Sequence, residues 1–424
     1  MGLNNAAKAC DESYSGIMDP KGVITTPYMG NISWMWRCAF GTPRNPIAAT
    51  FLRGGTSKGI YLNRADLPVD KSEWDHIVLG IMGSPDPQHG RQLNGMGGGV
   101  SSLSKICVVG RPTHSTPDID VEYTFAQIGI RDATVDYSGN CGNLSSMIGV
   151  FAVDEGLCTP KLVQDGPGGH SIATIRSFNT NTGKRIDSSF PVTREGLIPV
   201  LDLPQATVAG VPGRASQITL DFVSPSGART GKLLPTGNPV DTVQVPASEP
   251  GSKGRVRASL VDATNPTVFI PLEDLRTALD IHDEDSVNYD EPPVSKLIEI
   301  IRQEGARHMG LDPSAQAQPK IAILSRPEAD DLEADIVVHA YSMGVLHKAV
   351  PMTLGLCLGV AAKVKGTLAW DIVQESRRGP RDLLTIRHPG GTVDVGADMT
   401  LGGEVRSAKV VRTGRRLMKG VVWW

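Results

Sequence analysis

Two segments of this 424-residue chain are apolar and small almost throughout, yet each opens on a polar turn. The first is GNCGNLSSMIGVFAVDEGL (139–157); the second is VLHKAVPMTLGLCLGVAAKVKGT (345–367). A helix on a protein surface keeps a polar face, so helices without one are enclosed on every side. In a domain of ordinary size that calls for a sheet wrapped around a central helix. Strand-like runs precede both segments: AATFLRGGTSKGIYL, ICVVG and VEYTFAQIGI before the first, ASLVDATNPTVFI and ADIVVHAYSMG before the second. Each half also carries an amphipathic helix pattern, DKSEWDHIVLGIMG with apolar Trp74, Ile77, Val78 and Ile81, and EPPVSKLIEIIRQEGARHMG. The expected fold is α+β, with two pseudo-symmetric domains that each wrap a curved sheet around a central apolar helix. Two such units facing one another bring both helix starts to one cleft, where unpaired N–H groups and positive dipole ends favour anions.

The length suits two domains. We expect an N-terminal extension over 1–48, with SWMWRCAF as its docking part. A first domain follows over 49–210, joined by the C-terminal strand 404–424, and a second over 211–403. The net charge of −3 gives no basic footprint, so nucleic acid is not an expected partner. The six cysteines (10, 38, 107, 141, 158, 357) form no CxxC pair, which predicts reduced thiols, no disulfide framework and no metal site. The longest apolar run, around Leu354 to Ala362, is too short for a bilayer, so no membrane partner is expected. MGLNNA has Ala6 where a myristoylation signal wants Ser or Thr. A cytoplasmic location is expected ahead of a mitochondrial one, and homo-oligomerisation stays open.

Four stretches carry candidate chemistry. GGGVSSLSKICVVG (97–110) sets Lys105 inside an apolar strand behind a loop rich in bare amides. An isolated lysine of this kind usually packs its stem and wets its head; the glycine loop and the apolar run favour a buried one. A lysine serves as general base only when its pKa falls from about 10.4 toward neutrality, as burial and helix dipoles can achieve. Backbone amides of Gly98, Gly99, Ser101 and Ser102, with Ser104, are candidate donors to a substrate carboxylate. In SGNCGNLSS, Cys141 stands where a helix start activates a thiol, flanked by Asn140, Gly142 and Asn143. In HKAVP, His347 and Lys348 enter the second apolar helix, and Lys348 beside a positive helix end asks for an anion. RGGTSKG offers Lys58, and DATNP offers Asn265. RGGTSKG is not a phosphate loop, and GMGGGV is not a dinucleotide fingerprint, so no nucleotide cofactor is expected.

These motifs, GMGGGVSSLSK, NCGN, TGKLLPTG, DATNP, HKAVP and RHPGG after RGGTSKG, follow the order of the PrpF-like isomerases, which the chain resembles from about Phe51 to its end. That family includes 2-methylaconitate cis–trans isomerase, 4-oxalomesaconate tautomerase and fungal aconitate Δ-isomerase. The resemblance implies a diaminopimelate-epimerase fold with its active site between two domains. It also implies a cofactor-free proton shift in a small unsaturated di- or tricarboxylate. The family's proposed proton-transfer lysine maps onto Lys105, and its NCGN cysteine onto Cys141 in a supporting role. This chain has Leu103 where the family usually has Thr, and Thr264 where DAGNP has Gly. A two-base epimerase ranks lower, because the second helix start has no cysteine. A catalytically dead carboxylate-binding member ranks last.

Overall fold

A computed structural model describes residues 45–113, 118–246, 253–281, 287–315, 318–342, 344–376 and 382–424. Most of the expected N-terminal extension, including SWMWRCAF, lies outside the described residues.

The first strand, Ile47–Gly54, turns back antiparallel onto Ser57–Asn63, as the glycine-centred pattern predicts. Ser57–Asn63 then pairs in parallel with Lys105–Gly110, a connection that needs a crossover, here through the helix Trp74–Met82. Lys105–Gly110 pairs antiparallel with Val121–Ile128, which runs parallel to Ser171–Asn179. Antiparallel Lys184–Val192 and Ile218–Val223 follow.

The second half repeats these pairings in the same order. Lys253–Ala263 is antiparallel to Asn265–Pro271, which is parallel to Lys320–Ser325. Antiparallel Ile336–Ser342, parallel Leu384–His388, then antiparallel Gly391–Met399 and Val405–Arg412 complete it. Val405–Arg412 also pairs with Ile218–Val223 and so joins the halves, while Gly414–Val422 returns to the first strand.

Each sheet is covered on both faces, which is why its strands read as nearly unbroken apolar runs. In the first half Leu144, Ile148, Val150 and Phe151 pack against Leu52, Tyr61, Cys107, Val109 and Phe190 on the inner face. Trp74, Ile77, Val78 and Ile81 cover Ile60, Leu62, Ile106 and Val108 on the outer face. In the second half Leu354 to Ala361 fill the inner face, and Pro292–His308 covers the outer one through Val294, Ile298 and Ile301. A fully buried side chain of this kind contributes about 1.5–3 kcal/mol, so the central helices anchor their sheets.

One expectation needs correction. The first apolar helix is not continuous: it consists of Gly142–Ser145 and then Ile148–Asp154. Ser145 Oγ donates to the Cys141 carbonyl (3.1 Å) and Ser146 Oγ to the Asn143 carbonyl (2.7 Å). Such side-chain bonds compete with the helical ladder, and Met147 leaves helical geometry at ψ 0°. The second apolar helix is unbroken over Met352–Ala361. Pro351 stands just before it as the cap.

Candidate active site

The two central helices meet start to start. A Cβ built on Gly142 would lie 2.1 Å from Met352 Sδ, so the two starts are in direct contact. Cys141 and Pro351 cap the two helices without any side-chain hydrogen bond to the first turn, which leaves those amides uncapped by side chains.

Lys105 opens its strand buried, 9% exposed, on the same inward face as Cys107 and Val109. Its Nζ donates to Gln127 Oε1 and lies 5.2 Å from the Phe125 ring centroid. Gln127 is itself fixed by donating to the Ser104 carbonyl (3.0 Å). Cys107 lies close enough to feel both Lys105 and Cys141, while burial pushes its own thiol well up. Cys141 Sγ is 3.8 Å from Ser57 Oγ. Asn140 accepts from Tyr123 Oη (3.2 Å) and donates to Ser145 Oγ (3.1 Å), tying the turn to the sheet.

The glycine loop approaches its own neighbours. Gly97 would press on the Gln92 side chain, Gly98 on Leu103, and Gly99, at φ +67°, on the Gly90 carbonyl. The Gly99 amide donates to Gln92 Oε1 (3.0 Å), as does Ser104 Oγ (2.6 Å), and Ser104 is wholly buried. Ser101 is exposed and Ser102 partly so. Side chains alternate along a strand: Ser57 faces Cys141, and Lys58 turns to the other side, 5.7 Å over the Phe51 ring. The structure therefore does not bring Lys58 to the helix starts.

In the second half, Asn265 is buried and donates to the Pro266 carbonyl (2.9 Å). Its neighbour Thr264 sits at φ +62°, where the related motif has glycine. A left-handed residue with a Cβ costs roughly 1–2 kcal/mol, and Thr264 Oγ1 offsets part of that by donating to the Thr353 carbonyl (2.9 Å) in the second helix's first turn. His347 and Lys348 are exposed at the end of the strand Val345–His347. The Lys348 carbonyl stands 3.2 Å from His388 Nδ1. Burial lowers the His388 pKa, and Arg412 nearby lowers it further.

Two cations at this place are absent from the sequence reading. Arg412, 7% exposed, donates through Nε to Asn143 Oδ1 (3.0 Å) and through Nη1 to the Val411 carbonyl (2.8 Å). Burial pushes its pKa down to about 10, with Cys141 as a small opposing influence. Gly55 is glycine because a Cβ there would meet Asn143 Oδ1 at 2.3 Å and Arg412 Cδ at 3.1 Å. Lys320 opens Lys320–Ser325 as Lys105 opens its own strand, and donates to Thr353 Oγ1 (3.2 Å). Burial lowers its pKa as well. The repeated pattern SKICVVG and PKIAILS is the signal that could have found it.

The chain belongs to the PrpF family: residues 44–424 match the family described as PrpF protein. It is 36% identical over 397 residues to 3-methylitaconate isomerase of Eubacterium barkeri, covering 89% of this chain and 97% of that one. It is 35% identical to 2-methyl-aconitate isomerase of Shewanella oneidensis, covering 90% and 97%. The crystal structure of a methylitaconate-delta-isomerase superposes with a TM-score of 0.76 at 33% identity, over 90% of this chain and 96% of that one. The protein is thus an isomerase with an α+β fold like that of methylitaconate-delta-isomerase. No helix among the described residues is long and apolar enough to cross a membrane. Among the same residues no group of three or more His, Cys, Asp or Glu could hold a metal ion.

Proposed function

We propose that the protein is a cofactor-independent isomerase that moves a proton in a small unsaturated di- or tricarboxylic acid of the methylitaconate, methylaconitate or aconitate kind. The observation that carries this reading is Lys105: a buried amine held by a neutral amide, at the head of the strand that packs on the first central helix, in a chain whose relatives are named for such acids. A C–H bond flanked by a carboxylate and a C=C gives up its proton because the electron pair spreads into a dienolate. Lys105 Nζ takes the proton, the pair moves through the double bond, and the same group returns the proton to the far carbon. The double bond moves one position, or rotates while the dienolate lasts, and nothing is consumed. The uncapped amides of Gly142, Asn143, Met352 and Thr353 stabilise the charge that develops on the carboxylate. Cys141 supports the site without being the base, and Lys348 draws the anion in. On this reading 49–210 with 404–424, and 211–403, are the two domains between which the acid binds.

The test is NMR in heavy water with dialysed, chelator-treated protein and five acids: cis-aconitate, trans-aconitate, 2-methylaconitate, 3-methylitaconate and 4-oxalomesaconate. At least one should exchange its allylic proton and shift or rotate its double bond. Exchange into none of them ends the proposal. Activity that returns only with an added divalent ion ends its cofactor-independent part.

A further inference from the structure

We infer that Arg412 is the carboxylate anchor of this site, holding one carboxylate of a polycarboxylic acid on the outer edge of its guanidinium; the inference rests on the isomerase reading and deepens it. The starting point is an imbalance of charge. Three other buried or half-buried arginines sit on acids: Arg176 on Asp118 and Asp120, Arg302 on Glu299, Arg387 on Asp331; half-buried Arg53 instead donates to the Gly55 carbonyl and to Thr413. Arg412 is as buried as Arg176 and meets no carboxylate among the described residues. A buried charge without a counter-ion is costly, and a protein retains one where something else supplies the opposite charge.

The geometry says where that charge belongs. A guanidinium presents five N–H groups in a fixed fork. One on Nε is spent on Asn143 and one on Nη1 on the Val411 carbonyl. Neither Nη2 hydrogen is bonded within the described residues, and the atom is not sealed off from solvent. The remaining edge, Nη2 with the second Nη1 hydrogen, matches the bidentate geometry of a carboxylate. The same residue reaches Asn143 beside Cys141 in one half and lies near His388, behind Lys348, in the other. Its strand is also the one that pairs the two halves. An acid held there lies at the junction of both helix starts, with its charge facing Arg412.

The alternative is that Arg412 only braces Asn143, and the two roles predict opposite stabilities. If the charge awaits a ligand, Arg412→Met removes an uncompensated ion from the free protein. It should then melt no lower than wild type. The same variant should bind trans-aconitate about 100-fold more weakly by titration calorimetry and lose the thermal shift that this acid gives wild type. Arg412→Lys keeps the charge without the fork and should fall between them, about tenfold below wild type. Crotonate, with a single carboxylate, should bind wild type weakly and discriminate little among the three proteins. Arg412→Met binding trans-aconitate within about threefold of wild type overturns the proposal. So does an unfolded Arg412→Met together with an Arg412→Lys of undiminished affinity. A wild type that binds and isomerises none of the five acids ends the isomerase reading and this anchor with it. Turnover by wild type with unimpaired binding by Arg412→Met ends the anchor alone.

Discussion

The two halves of the molecule use the same chain of pairings and arrive at different helix starts. In the first half the start is Cys141 and a single helical turn interrupted after Ser145, with Lys105 at the head of a strand packed on the same central helix. In the second Lys320 holds the equivalent strand position, behind Pro351 and an unbroken ten-residue helix. The first start pairs an amine fixed by Gln127 with a thiol; the second pairs an amine on a threonine hydroxyl with a proline that cannot titrate. A duplicated frame has thus kept an amine on both sides and a thiol on only one. On the proposed reading the first half moves the proton and the second holds charge. The longer helix has the stronger positive end, and it lies on the side without a thiol.

The largest effect that could break this division belongs to Lys105. Lys105→Ala should lower isomerisation at least 10²- to 10⁴-fold, the usual range for loss of a general base, while affinity for trans-aconitate changes little. Lys105→Arg should fail nearly as badly, because a guanidinium stays protonated. Deuterium exchange near the wild-type rate in Lys105→Ala would remove the base from this half altogether.

Lys320→Met comes next, with affinity reduced about tenfold and the turnover of bound substrate reduced much less, as expected of a charge that binds uniformly. If this variant instead loses deuterium exchange as Lys105→Ala does, the halves share the proton chemistry. Burial lowers the Lys320 pKa, so carrying its charge works against folding. That cost is present at neutral pH and lost as pH rises through the lowered value. Lys320→Met should therefore melt no lower than wild type at pH 7, with the difference shrinking at alkaline pH.

Cys141→Ser sharpens the comparison from the other side. A supporting thiol predicts a loss of less than about tenfold in kcat/KM, with the pH profile kept. Complete loss in a folded protein would make the thiol the base. The smallest effect is expected at Thr264→Gly: the relieved left-handed strain and the lost bond to Thr353 are each of order 1 kcal/mol. The melting temperature should move by no more than about 2 °C, and a larger drop would show that the hydroxyl orders the second helix start.

Much of the frame was legible in the chain. The Trp74–Met82 helix buries the four apolar positions that its spacing marks, and the hairpin Ile47–Asn63 turns at Gly55 and Thr56. The strands Ser171–Asn179 and Lys184–Val192 are hard to read from the sequence, because their polar residues break simple alternation. The interruption at Ser146 and Met147 was hidden too, since the run remains apolar while two serine hydroxyls bond back to the chain. Of the expected site residues, Lys105, Cys141, Gly142 and Asn143 lie in or beside the first helix start. Gly99 and Ser104 are tied into their own loop, and Lys58 faces elsewhere.

The sequence alone determined the two enclosed helices, the duplicated plan and the lysine in an apolar strand. Each follows from periodicity and composition within about twenty residues, which is the range over which hydrophobic patterning acts. Only the tertiary structure decided which charges are balanced. Arg412 reads as one more basic residue in KVVRTGRR until the fold sets it against Asn143, 269 positions away, with no acid beside it. Whether a buried cation has a partner is settled by distance through space, where Coulomb attraction and desolvation operate, and spacing along the chain carries no record of it.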